Sequence, residues 1–165
     1  VTEVFVAAGS NLQPRTQLRR ALTLLRARWP GLRASRAFAS RAAGFEGADF
    51  INLVVGFPAD EPLPQLKAAL RQVEDACGRQ RGSPDATGSV SLDLDLLLFG
   101  DFAGELDGTP LPRPELVTRP YMLGPLADLA PDLRHPVLQA TIGELWAQFE
   151  AAGATLTPVS LEDGD

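Results

Sequence analysis

The ten residues Ser91-Leu92-Asp93-Leu94-Asp95-Leu96-Leu97-Leu98-Phe99-Gly100 constrain this chain more than any other stretch. Read at the two-residue period of a β-strand, Leu92, Leu94, Leu96 and Leu98 share one face, and Asp93, Asp95 and Leu97 share the other. The two carboxylates project together from attachment points about 6.5 Å apart. At an effective dielectric near 20 they repel by roughly 2–3 kcal/mol, so such a pair inside an apolar strand needs a compensating charge. A divalent cation supplies one. Two aspartates completed by water and phosphate oxygens suit magnesium, which prefers hard oxygen ligands and rarely takes an all-protein cage. The other reading is a plain wet strand face. Arg79 and Arg81, just upstream, favour the cation, because guanidinium groups beside paired acids are what a magnesium-bound polyphosphate requires.

Composition narrows the ligand class. The 165 residues are 45% hydrophobic and 22% charged, enough for one soluble domain with a real core. That domain is expected to span residues 1–160, with 161–165 as a frayed acidic tail. A formal charge of −6 argues against nucleic acid and anionic membrane, since both would repel the chain at long range. Fourteen of the 15 basic residues are arginine, Lys67 being the only lysine, so a small anion remains possible where arginines gather. The lone Cys77 forms no internal disulfide, and no run approaches the roughly 20 apolar residues of a membrane span. Val1-Thr2-Glu3-Val4 lacks the basic start of a secretory leader, which favours the cytoplasm. The single histidine, His135, has no cysteine partner nearby, so any metal here is held by oxygen.

Elements alternate along the chain. Val4–Ala8 reads as a buried strand that stops at Gly9-Ser10-Asn11. Leu18, Leu22, Leu25 and Trp29 recur at helical spacing, with Thr16 as the N-cap and Pro30-Gly31 as the stop. Leu32–Phe38 is a weaker strand, Ser40–Asp49 a loop, and Phe50–Phe57 a second firm strand. Leu63, Leu66, Leu70, Val73 and Cys77 form the apolar stripe of a helix over Pro62–Cys77. Asp60 or Glu61 favours its start and Gly78 ends it. The polar stretch Arg79–Ser89 reads as a long exposed loop, and Val90–Phe99 as a third strand. A loop runs to Pro114, and helical pieces follow at Pro120–Leu129 and Ile142–Ala151. This order predicts an α+β fold of the ferredoxin-like kind, with helices on one face of a mainly antiparallel sheet. The arginines at 15, 19, 20, 26 and 28 read as solvated helix surface.

These segments resemble the 6-hydroxymethyl-7,8-dihydropterin pyrophosphokinase family. The resemblance runs from Ala7-Ala8-Gly9-Ser10-Asn11-Leu12 through Phe50-Ile51-Asn52, Glu74 and Gly78-Arg79-Gln80-Arg81 to the aspartate strand and Arg119-Pro120-Tyr121-Met122-Leu123-Gly124-Pro125-Leu126. It implies a ferredoxin-like sandwich and ATP-dependent transfer of pyrophosphate to the hydroxymethyl group of a reduced pterin, releasing AMP. By matching position, Asp93 and Asp95 would hold two magnesium ions. Arg79 and Arg81 would engage the polyphosphate, and Glu74, Leu96 and Arg113 would line the nucleotide. Asn52 would read the pterin edge, and Phe50 and Tyr121 would flank its ring, with Gly9, Ser40, Gly44 and Arg119 around them. ATP and the pterin would be the partners of a monomer, with no nucleic acid and no membrane.

The chain also departs from the family pattern. Val90 stands where an arginine precedes the aspartate strand, Thr87 and Ala86 replace an aromatic and a basic residue, Arg113 replaces a histidine, and Arg41-Ala42 replaces a proline pair. A guanidinium at Arg113 would still donate to phosphate. Val90 favours a second reading from another class, a non-catalytic pterin- or nucleotide-binding regulator, whereas Asp93 with Asp95 favours the enzyme.

Overall fold

The chain runs β1 (Thr2–Ser10), α1 (Pro14–Arg28), β2 (Arg33–Ala34), β3 (Ala37–Ser40), β4 (Phe50–Ala59), α2 (Leu63–Ala76) and β5 (Asp93–Phe99). It continues through β6 (Gly104–Leu106), β7 (Thr109–Leu111), a 3-10 turn at Pro114–Val117, α3 (Pro120–Leu129), α4 (Ile142–Ala151) and β8 (Thr157–Val159). This is a computed structural model, and it describes residues 1–40, 49–79, 90–162 and 164. The larger sheet has the order β5-β1-β4-β3-β8, with β2 also paired to β4, and every pairing in it is antiparallel. β1 lies inside the sheet, between β5 and β4, where its two apolar faces are both covered and it is buried from Val4 to Ser10.

Alternation on β4 sorts the two cores. Ile51, Leu53, Val55 and Phe57 point toward α1 and α2, joining Leu18, Leu22, Leu25, Leu66, Leu70 and Val73. Val54, with Phe5 and Ala7 of β1, points the other way, toward Met122, Leu123 and Leu126 of α3 and Ile142 of α4. Helices therefore cover both faces of the sheet, where the sequence reading placed them on one. The apolar stripes of α3 and α4 need a partner too, and the second face of the sheet supplies it.

Several local expectations are corrected. Gln13, in the left-handed conformation, precedes Pro14 at the start of α1, so Thr16 lies inside the helix. Glu61 does not cap α2, which starts after Pro62 without a side-chain cap. Its carboxylate instead accepts from the indole Nε1 of Trp29 at 3.1 Å, while that ring stacks on Phe57 with centroids 4.2 Å apart. Leu32–Phe38 resolves into β2 and β3. The segment after β5 holds the β6–β7 hairpin, and β8 joins the sheet edge. The third strand starts at Asp93, since Val90 is bonded instead to Asn11 through both its N–H and its carbonyl. Arg15 and Arg19 are more than solvated surface: they donate to the carbonyls of Ser160 and Leu161 and tie that segment to α1.

The even alternation of β5 also fails at one point. Phe5 pairs with Leu98 and Val6 with Leu96, so Leu97 is the extra residue of a β-bulge. Leu92, Leu94 and Leu96 belong to the α1/α2 core, and Leu98 joins Leu97 on the opposite face.

Close packing of the central strands gives a stability prediction. Gly56 lies opposite Phe5, and a Cβ there would stand 2.7 Å from the buried Phe5 ring. Gly56→Ala is expected to cost roughly 1–3 kcal/mol by overpacking. Thermal denaturation should show the melting temperature falling by about 2–4 °C per kcal/mol in a chain of this size.

Candidate active site

Cross-strand partners share a face of the sheet, and register places the acid pair beside a polar pocket. Asp93, Gly9, Asn52 and Phe38 form one row across β5, β1, β4 and β3; Asp95, Ala7 and Val54 form the next. At about 4.8 Å per strand, Asp93 and Asn52 are attached roughly 10 Å apart. Between them residue 9 has no side chain, and the Asn52 amide fills that space: a Cβ on Gly9 would lie 2.6 Å from Asn52 Oδ1 and 3.8 Å from the Phe50 ring. Asn52 Nδ2 donates to Ser40 Oγ at 2.8 Å. Gly9, Ser40, Phe50 and Asn52, separated by up to 43 positions in sequence, are thus one cluster on the α3 side of the sheet. Tyr121, in the first turn of α3, packs half-buried on that same side. Arg119 is exposed where α3 begins and makes no side-chain hydrogen bond or ion pair among the described residues.

A second space lies on the opposite side of β5. α2, β5 and the β6–β7 hairpin border an open cavity of about 610 Å³, within the size range of small-molecule sites. Leu70, Leu94 and Leu96 give it apolar walls, while Lys67, Arg71, Arg79 and Arg113 outnumber Glu74, Asp93 and Asp107. The charged residues lining this space thus carry a small net positive charge within a chain of net negative charge. β5 is the edge strand, and its edge groups are satisfied by cavity residues. Glu74 Oε2 accepts from Leu94 N–H at 2.7 Å, Arg79 Nη1 donates to the Leu92 carbonyl at 2.8 Å, and Arg113 N–H donates to the Leu97 carbonyl at 2.9 Å.

The carboxylates stand at this edge between the two spaces. Arg79 Nη1 lies 3.1 Å from Asp93 Oδ1, and Arg113 Nη2 lies 3.4 Å from Asp95 Oδ1. Burial, reinforced by the neighbouring Asp93 carboxylate, pushes the Asp95 carboxyl from 3.8 up to about 7, against the pull of Arg113. One guanidinium is thus too little positive charge to keep Asp95 comfortably ionised, and a hard dication fits the deficit. Among the described residues no third acid, histidine or cysteine joins the pair. The protein would supply two carboxylate ligands, leaving the other positions to water and phosphate oxygens, as magnesium prefers.

Of the sequence-derived candidates, Gly44 and Arg81 lie outside the described residues, as do Arg41, Ala42, Ala86 and Thr87. Lys67, Thr109, Arg71 and Glu115 went unread. Lys67 Nζ donates to Thr109 Oγ1 at 2.6 Å, fastening the hairpin to α2. A signal existed: Pro64, Lys67, Arg71 and Glu74 fall at spacings of 3, 4 and 3, a polar stripe beside the apolar one. Glu115 Oε2, in the 3-10 turn, lies 3.2 Å from Arg113 Nε.

Three comparisons bear on this geometry. Residues 5–131 match the model of the family described as 7,8-dihydro-6-hydroxymethylpterin-pyrophosphokinase. A 2-amino-4-hydroxy-6-hydroxymethyldihydropteridine pyrophosphokinase of Pseudomonas aeruginosa is 37% identical over 141 residues, covering 82% of this chain and 85% of that one. One of the same name from Synechocystis is 34% identical over 132 residues, covering 80% and 67%. In shape, the crystal structure of Plasmodium falciparum HPPK-DHPS with pteroate superposes with a TM-score of 0.68 at 13% identity. The match covers 91% of this chain and 44% of that longer one.

Proposed function

The chain belongs to the 7,8-dihydro-6-hydroxymethylpterin-pyrophosphokinase family, and from that premise we propose how its site carries out ATP-dependent pyrophosphoryl transfer to the hydroxymethyl group of 6-hydroxymethyl-7,8-dihydropterin. The enzyme is a transferase of folate biosynthesis. In the reaction the hydroxymethyl oxygen bonds to the β-phosphorus of ATP, the bond from that phosphorus to the oxygen bridging to the α-phosphorus breaks, AMP leaves, and the hydroxyl proton passes to solvent.

The observation that carries the residue assignment is the row Asp93, Gly9, Asn52 with the charged cavity behind β5. On this reading the pterin lies on the α3 side, its polar edge held by Asn52 and Ser40 and its ring flanked by Phe50 and Tyr121. ATP enters the cavity, its apolar part against Leu70, Leu94 and Leu96. Its phosphates reach Arg79 and Arg113, and Arg113 takes the place of the family's histidine. Asp93 and Asp95 would hold the magnesium, two ions on the family's pattern. The cation supplies charge neutralisation and alignment at the transferring phosphorus. Val90 has no guanidinium to offer, and Arg79 and Arg113, both lining the cavity, take over donation to the phosphates. The protein works as a cytoplasmic monomer on small molecules alone. Among the described residues no helix is long and apolar enough to cross a membrane.

The test is direct. Purified protein with ATP, magnesium and the hydroxymethyl pterin should release AMP in step with pterin consumed; no AMP above background at micromolar enzyme would sink the catalytic reading. A subsidiary prediction concerns the hairpin. Lys67→Met removes the bond to Thr109 and should raise KM for ATP about three- to tenfold, in line with a lost hydrogen bond to a charged group, with KM for the pterin unchanged in initial-rate kinetics.

A further inference from the structure

We infer that Arg79 and Arg113 are place-holders: each guanidinium neutralises one carboxylate of the pair and passes to phosphate oxygens when a cation-bound polyphosphate enters. The inference rests on the reading of Asp93 and Asp95 as the magnesium ligands. Three observations carry it. First, the pairing is one to one, Arg79 with Asp93 at 3.1 Å and Arg113 with Asp95 at 3.4 Å, each through Oδ1. A dication and a guanidinium at the same carboxylate oxygen would repel one another, which favours moving the guanidinium to another anion. Second, each arginine keeps another anchor. Arg79 also donates to the Leu92 carbonyl at 2.8 Å, and Arg113 Nε lies 3.2 Å from Glu115 Oε2. Both can release the aspartate and stay in the cavity they line.

Third, the arrangement at Arg113 is incomplete as it stands. The buried Nε and Glu115 Oε2 are close enough to attract but not aligned as a hydrogen bond, and among the described residues neither atom has another hydrogen-bond partner. A buried donor left in this state is stabilised by a new acceptor. A phosphate oxygen in the cavity is such an acceptor.

The exchange makes cation and nucleotide binding cooperative. A cation arriving alone must displace a guanidinium that has no anion to move to, whereas a polyphosphate brings that anion with it. By linkage, each then raises the affinity of the other. Without the place-holder, a lone cation should bind better, a sign opposite to that expected for a residue that only stabilises the fold or only contacts phosphate.

The experiment uses Mn²⁺ alone as the probe, titrated at pH 8.5 by electron paramagnetic resonance and calorimetry. Arg79→Gln and Arg113→Gln, which keep donors but lose charge, should each raise Mn²⁺ affinity of the nucleotide-free protein about tenfold and lower affinity for a non-hydrolysable magnesium-ATP analogue. Arg26→Ala, on the exposed side of α1, controls for net charge. A Mn²⁺ affinity that falls, or rises no more than in Arg26→Ala, overturns the exchange for that arginine. If Arg79→Gln does not fold, Arg113→Gln decides. Because no turnover is needed, failure here leaves the pyrophosphokinase reading intact, and absent AMP release in the wild type is a separate result.

Discussion

Replacing Asp95 with asparagine is expected to cut AMP formation by at least about 10³-fold, the scale of one lost metal or electrostatic contribution at a transferring phosphorus. The same variant should be more stable than wild type at about pH 8 without divalent cation. The sign follows from the raised value of the Asp95 carboxyl, near 3.8 when unfolded and about 7 when folded. Because the folded state holds the proton more tightly, stability from this group falls as pH rises between those values and the loss is complete above about 7. Asparagine does not titrate. Melting curves in chelator should show the variant above wild type at pH 8, with the two converging near pH 4. A variant that loses activity but gains no stability at pH 8 would contradict the assignment of Asp95 as a carboxylate held ionised for function at a structural cost.

Gly9→Ala should disable the other half of the site. The added methyl would lie 2.6 Å from Asn52 Oδ1, inside any tolerated contact, and Gly9 is on an interior strand with neighbours on both sides. The side chain with room to move is Asn52, which would give up its 2.8 Å bond to Ser40. The expected result is a fall of about 10²-fold in kcat/KM for the pterin, the cost of losing oriented polar contacts to a flat ligand. Affinity for a magnesium-ATP analogue should not change, because the cavity behind β5 is lined by other residues. Equal weakening of both ligands would mean the strand itself had shifted, and would count against Gly9 as a pocket residue.

Both predictions concern residues legible in the sequence, for different reasons. Asp93 and Asp95 stand out because two acids project together from one face of a leucine-rich strand, with arginines just upstream, and a cation would relieve their repulsion. Gly9 and Asn52 are individually unremarkable, and only the family resemblance singled them out. Lys67, Arg71 and Glu115 were passed over because charged residues on a helix or turn ordinarily read as solvated surface. Nothing local says that the β6–β7 hairpin folds over α2 to make a cavity lined by Lys67 and Arg71, or that Glu115 comes to rest beside Arg113. The segments 41–48 and 80–89, with candidates Gly44 and Arg81, lie outside the described residues.

Local pattern was enough for the main strands, the two long helices and the acid pair. Period and composition act over a few residues, and each of those features is complete within ten to fifteen. Three things needed the tertiary structure. The covering of the second sheet face by α3 and α4 depends on which stripe meets which strand. The bulge at Leu97, which sends Leu98 to the far core, depends on the register against β1. The pairing of each aspartate with one arginine depends on where a helix end and a turn more than a dozen residues away come to rest. Pairwise charge at 3–4 Å is a property of positions in space, and the strand that carries the acids does not encode what stands opposite them.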